Sequence, residues 1–331
     1  MSISEHGEYG NKNRCFLKSL FKSEKQKVMM RLYSDEQLPK KIDLREKFKV
    51  QIYDQGKTQS CTANALTAAY AIRTCSQNKL NNPLYLSRLF IYYNERKMIN
   101  QTNRDNGAYI KDGTKSLKDN GSCVEGLYPF DMKNLYCTPP SYCYDEALSH
   151  TTNSFEVDSS DYINQFKLAL SNGIPIVVGV MVYDSFKSEE TAKTGIVKLP
   201  NTKSEKLLGG HAICIIGYDD EHKHFIFQNS YSTTWGDKGY GYIPYDYLGD
   251  NNLTADCHVL TDVEIKKTKP IPPTPPPSPQ PYQPMPQPYQ PIPQPFPYQP
   301  FPPYQPHYYP PYHPPYHPHY YPPFPYPYPY N

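Results

Sequence analysis

In "QGKTQSCTANALTAAYAI", residues 55 to 72, a cysteine follows a turn-like run and opens an alanine-rich one. Thiol chemistry runs through the thiolate, so a nucleophilic cysteine needs surroundings that lower a free pKa of about 8.5. A helix N-terminus supplies unpaired N–H groups and a positive dipole end, and a neighbouring imidazolium adds to both. Cys61 meets the first condition. Gln55, six residues upstream, is spaced to turn its side-chain amide toward the point faced by the Cys61 backbone N–H, giving two donors for an oxyanion. The plainer reading is a small buried thiol, one of eight cysteines.

Acyl transfer by a thiol also needs a base and a group to orient it. In "LLGGHAICIIGYDD", His211 follows two glycines and opens an apolar strand, so one side of its ring can face a cleft. In "FIFQNSYSTTWGDKGYGY", Asn229 ends the next strand, where its amide oxygen can accept the proton on the far ring nitrogen of His211. The only tryptophan, Trp235, lies six residues later and could shield that pair from water. Taken singly, His211 also fits a structural histidine, Asn229 a turn cap and Trp235 plain packing.

Elements that would carry these residues are legible. After Cys61, Ala65, Leu66, Ala69, Tyr70 and Ile72 fall on one apolar face, and the alanine content favours a buried central helix. "LYLSRLFIYYNERKM" predicts a second helix and "IKDGTKSLKDNG" a third that ends at Asn120-Gly121; "SDYINQFKLALSNG" predicts another that stops at Gly173. Beyond it, "IPIVVGVMVY", "HAICIIGYD", "HFIFQNSY" and "GYGYIPYDYL" read as strands, with "IIGYDDEHKHFIFQ" as two strands joined by a polar turn. Helices followed by antiparallel strands predict an α+β architecture with a cleft where the halves meet.

Composition divides the 331-residue chain into a segment 1–38, a globular part 39–268 and a tail 269–331. From Pro270 onward there is no Asp, Glu, Lys or Arg, and 29 of the 37 prolines fall there. Such a tail predicts an extended, partly polyproline II chain suited to polyproline-recognising partners. Around Phe16, Leu17, Leu20 and Phe21 the first segment predicts a short helix packed on the domain, with a prosegment or a membrane-surface helix as alternatives.

A net charge of +2 with scattered basic residues gives no reason to expect nucleic-acid binding. The sequence has neither a Sec-type signal pattern nor 18 uninterrupted apolar residues, which predicts a soluble chain without stable membrane insertion. Its cysteines are then expected as free thiols in a reducing compartment. Cys137 and Cys143 have no CxxC or His pair beside them, so no metal site is expected.

Four blocks, in order, resemble the papain-like cysteine peptidases. They are "DQGKTQSCTANALTAAYAI", "DNGAYIKDG", "GGHAICIIGYD" and "FQNSYSTTWGDKGYGYI", together spanning most of residues 39 to 265. The resemblance implies a two-lobed fold, one lobe helical and one an antiparallel β-barrel-like sheet, with the active site between them. It implies Cys61 as nucleophile, His211 as base and acid, Asn229 as orienting residue and Gln55 as oxyanion donor. Gly107 would be the groove glycine that pairs with substrate backbone, beside Trp235. The implied activity is hydrolysis of protein or peptide substrates through an acyl-enzyme, with no metal or organic cofactor.

The chain also departs from the family pattern. Thr58, Gln59, Ser60 and Thr62 stand where the family usually has Cys-Gly-Ser before the nucleophile and Trp after it, Tyr231 where it has Trp, and Gly210 where it often has Asp. Losing that first cysteine removes a disulfide common in secreted members. The alternative is a weak or inactive domain acting through its tail, and the same triad also serves transfer or aminopeptidase chemistry. Richness in Asn, Lys, Ile and Tyr fits an AT-rich genome of a protist or large DNA virus, with a cytoplasmic protein or, if viral, one packaged in the virion.

Overall fold

A computed structural model describes residues 38–80 and 82–266. The expected N-terminal segment up to residue 37 and the Pro/Tyr tail lie outside the described residues. After strand β1 (Lys41–Asp43), helices α1 (Cys61–Asn78), α2 (Arg88–Met98) and α3 (Ile110–Asp119) come first, then α4 (Ser141–Ala147). Strands follow with helices between them: β2 (Thr152–Glu156), α5 (Tyr162–Ser171), β3 (Ile176–Tyr183), α6 (Glu189–Thr194), β4 (Leu207–Asp219), β5 (His224–Gln228), β6 (Tyr240–Pro244), α7 (Tyr245–Gly249) and β7 (Thr254–Val263).

The alanines of α1 explain its place. Every residue from Thr62 to Cys75 is buried, and small side chains let α2 and α3 on one side and β4 and β7 on the other approach closely. Truncating Leu66, which is fully buried there, should cost about 2–5 kcal/mol. Arg73, buried on the same helix, donates from Nε to the Leu260 carbonyl at 3.0 Å and so fastens α1 to β7. Gly113 of α3 marks a close approach, because a Cβ there would stand 2.2 Å from Glu95 Oε1 and 2.3 Å from Leu66 Cδ1.

One antiparallel sheet runs in the order β2-β7-β3-β4-β5-β6, with β1 also pairing β4. Among the described residues β1, β2 and β6 each pair with a single strand, so the sheet is open rather than the barrel-like closure expected from the sequence. The α+β class stands. The predicted helix ends also match, with Asn120 and Gly121 (φ 66°) after α3 and Gly173 (φ 71°) after α5.

Three details differ from the sequence reading. β4 starts at Leu207, so His211 sits inside a strand, opposite Val180, rather than opening one. "GYGYIPYDYL" divides into β6 and α7 at Pro244, whose ring withholds a backbone donor from further pairing. β2, β7 and α4 escape the sequence patterns altogether; β7 mixes Asp, His and Thr among its apolar residues, and its burial does not alternate along the strand. No described helix is long and apolar enough to cross a membrane.

Candidate active site

Cys61 is the first residue of the 18-residue α1, whose first turn has no acidic side chain. The cap residue Ser60 does not cap it: its hydroxyl is taken up by Asn64 Nδ2 at 3.0 Å and by the Thr58 hydroxyl at 2.7 Å. The first N–H groups of the helix are therefore left for another acceptor. Backbone N–H groups of Ala212, Thr62 and Cys61 act on the half-buried sulfur and favour its thiolate. Burial still dominates and pushes the thiol up to about 11.

Ala212 follows His211 on β4, so the contact that stabilises a thiolate also brings the imidazole strand to the helix start. His211 is buried, and Nε2 lies 2.9 Å from Asn229 Oδ1. The same oxygen accepts the Ser230 backbone N–H at 2.8 Å. A backbone N–H can only donate, so this atom is the amide oxygen and His211 Nε2 must carry the proton that reaches it. In the neutral ring Nδ1 is then the bare acceptor. Burial brings the imidazole down to about 4, partly offset by the Asn229 bond.

Gln55 is held just as firmly. Its Oε1 accepts the Ser230 hydroxyl at 2.6 Å, and its Nε2 donates to the Thr58 carbonyl at 2.7 Å. The carbonyl fixes which end of the amide is nitrogen. One proton of Nε2 is left without an acceptor among the described residues. Ser230 thus links both amides, with its N–H on Asn229 and its hydroxyl on Gln55. The sequence signal for it was adjacency alone.

Aromatic rings close over the imidazole. Tyr231 stacks on His211 with centroids 4.8 Å apart and 21° between planes, and Phe186 meets it edge-on at 6.1 Å. Trp235, 9% exposed, packs on Phe186 at 6.3 Å, Phe227 at 5.8 Å and Tyr231 at 6.0 Å, one layer behind. Phe186 was missed in the sequence because it lies in a short 3-10 turn after β3, with no pattern to tie it to His211. Gly107 takes φ 83°, and a Cβ there would stand 3.9 Å from Gln59, two residues before Cys61.

Behind the cysteine lies a carboxyl that the sequence reading overlooked. Glu95, fully buried on α2, accepts the Thr62 hydroxyl at 2.8 Å through Oε2, while Oε1 has no hydrogen-bond partner. Burial raises its pKa well above the usual carboxylate range. Among the described residues one group, Asp219, Glu221 and His222 at the β4–β5 turn, has potential metal-ligand atoms within 4.8 Å of one another. Asp219 already pairs with Lys41 at 2.9 Å.

Residues 38–263 match the papain family cysteine proteases, more than half of the chain. The chain belongs to that family. It is a cysteine peptidase, a hydrolase. It is 39% identical over 217 residues to an uncharacterized peptidase C1-like protein of Acanthamoeba polyphaga mimivirus, covering 63% of this chain and 69% of that protein. Xylellain, a cysteine protease from Xylella fastidiosa, superposes with a TM-score of 0.63 at 36% identity, over 69% of this chain and 88% of that one. Procathepsin B S9 from Trypanosoma congolense shares the fold, at 16% identity and a TM-score of 0.57, over 71% of this chain and 82% of that one. The peptidase reading of the four sequence blocks is thereby borne out at the level of family and fold.

Proposed function

We propose that this papain-family peptidase hydrolyses peptide bonds as an endopeptidase, through Cys61, His211 and Asn229 with Gln55. The observation that carries the reading is the His211 Nε2–Asn229 Oδ1 bond of 2.9 Å, with that oxygen fixed by the Ser230 N–H. It leaves Nδ1 of His211 as the base.

Burial makes either charge costly alone, so thiol and imidazole ionise together. The Cys61 proton passes to His211 Nδ1, and each new charge then has its opposite beside it, an attraction of about 4 kcal/mol at a separation of 4 Å and an effective dielectric of 20. The sulfur attacks the substrate carbonyl carbon as the C=O π electrons move to oxygen. The Cys61 N–H and the free Nε2 proton of Gln55 receive that oxyanion. As the intermediate collapses, His211 returns the proton to the leaving amine and a thioester remains. His211 then takes a proton from water, hydroxide adds to the thioester, and the acid and thiol are released.

Gly107 and Trp235 are assigned to the substrate groove, Gly107 for backbone pairing and Trp235 as support for the rings over His211. Residues 39–268 are taken as the peptidase domain, preceded by a short segment that restrains the site and followed by a tail that binds polyproline-recognising partners. Likeness to a mimivirus protein supports a virus-encoded chain, with the cytoplasm or the virus particle as its place.

The test is cleavage of an unstructured protein by the full chain and by Cys61→Ala. Internal fragments from the parent and none from the variant support the reading; equal cleavage by both, or removal of terminal residues only, contradicts it.

A further inference from the structure

The turn that carries Cys61 is held from outside by residues 101–107. Arg96, fully buried on α2, donates from Nη1 to the carbonyls of Thr102 at 3.1 Å and Arg104 at 3.0 Å, and its own carbonyl accepts the Gln101 N–H at 2.8 Å. A buried guanidinium bound to backbone oxygens fixes this segment rather than merely touching it. The next residue reaches back toward the cysteine. Asp105 Oδ1 accepts the Gln59 N–H at 3.0 Å and the Tyr92 hydroxyl at 2.5 Å.

The Tyr92 oxygen in turn accepts the Gly107 N–H at 3.2 Å. One carboxylate and one phenol thus join Gln59, two residues before Cys61, to Gly107. Gln59 itself is exposed, and its N–H has no other acceptor among the described residues. With Ser60 turned to Asn64 and Thr58, Asp105 is the group that holds the outer side of the turn.

We propose that Asp105, with Tyr92, is a positioning residue for this reaction. It sets the Gln59–Cys61 turn, and with it the Cys61 N–H offered to the oxyanion, at a fixed distance from Gly107. The inference rests on Cys61 being the nucleophile. Loss of the bond therefore degrades both transition-state stabilisation and substrate seating in molecules that still hold a competent thiol.

The test uses the full chain as parent, Asp105→Ala, Asp105→Asn and Tyr92→Phe. Active sites are counted by titration with an epoxide-type thiol probe, and kcat and KM are measured per titrated site on an internally cleaved peptide, alongside Tm. Asp105→Ala is expected to lower kcat/KM per site about tenfold, through a lower kcat and a higher KM, since a charge-assisted bond is lost. Asp105→Asn keeps an acceptor oxygen for both donors and is expected within about threefold of the parent. Tyr92→Phe, which frees the Gly107 N–H, is expected mainly to raise KM.

Unchanged kcat and KM per site in Asp105→Ala, with only a lower Tm or fewer titrated sites, overturns the positioning role and leaves the nucleophile standing. Hydrolysis that survives Cys61→Ala overturns the nucleophile itself, and the proposal with it.

Discussion

Asn229 Oδ1 sits 2.9 Å from His211 Nε2 and holds the imidazole in the tautomer whose other nitrogen is free to accept a proton. Removing that oxygen lets the ring turn and lets its proton move. Asn229→Ala is expected to lower kcat/KM on the order of 100-fold with an unchanged fold. Steady-state kinetics and circular dichroism on the same sample check it.

Gln55 is expected to act in the transition state more than in substrate binding. Gln55→Ala should lower kcat about 100-fold or more while KM moves little. Ser230→Ala, which leaves Gln55 present but releases its Oε1, should lie between that variant and the parent. Separate kcat and KM values for the two variants decide this.

In Cys61→Ala, where no thiolate pairs with the ring, His211 makes stability depend on pH. Its folded pKa of about 4 lies below the ordinary 6.5. Between those values the unfolded chain binds the proton and the folded chain does not, so this stability is full above pH 6.5 and is lost as pH falls toward 4. The whole effect is roughly 3 kcal/mol. Melting curves from pH 4 to 7 should show that Cys61→Ala, where the imidazole titrates alone, loses more stability in acid than Cys61→Ala/His211→Gln.

Glu95 predicts the opposite slope. Burial holds its folded pKa well above 4.5, so the folded chain binds the extra proton and stability falls as pH rises past the unfolded value. Glu95→Gln keeps the shape and an acceptor for Thr62 but cannot ionise. Its Tm relative to the parent should be higher at pH 8 than at pH 4.5, while Glu95→Ala, which opens a cavity beside Leu66, should be destabilised at both.

Much of this site is legible in the sequence because its residues sit at element boundaries. Cys61 opens a run of alanines, Asn229 follows five strand residues, and a glycine with positive φ closes α5. The long-range partners are not legible. Tyr231 over His211, Glu95 under Thr62 and Asp105 on Gln59 are brought together by tertiary packing, and no spacing along the chain encodes them. His211 reads as the start of a strand because Gly209 and Gly210 look like punctuation. They are strand residues, in register with Val182 and Met181. β7 escapes because Cys257, His258, Val259 and Leu260 are buried in succession, so both faces are covered there and period-two alternation is lost.

The central claim is that one thiol of the eight does the chemistry. Among the described cysteines, Cys137 is exposed and Cys61 half-buried, so accessibility alone favours Cys137. Labelling the full chain with an epoxide-type thiol probe at neutral pH, followed by mass-spectrometric mapping, should find one adduct, on Cys61, that disappears in His211→Ala. An adduct on Cys137 or another cysteine in place of Cys61, or labelling of Cys61 that persists undiminished without His211, would contradict the account.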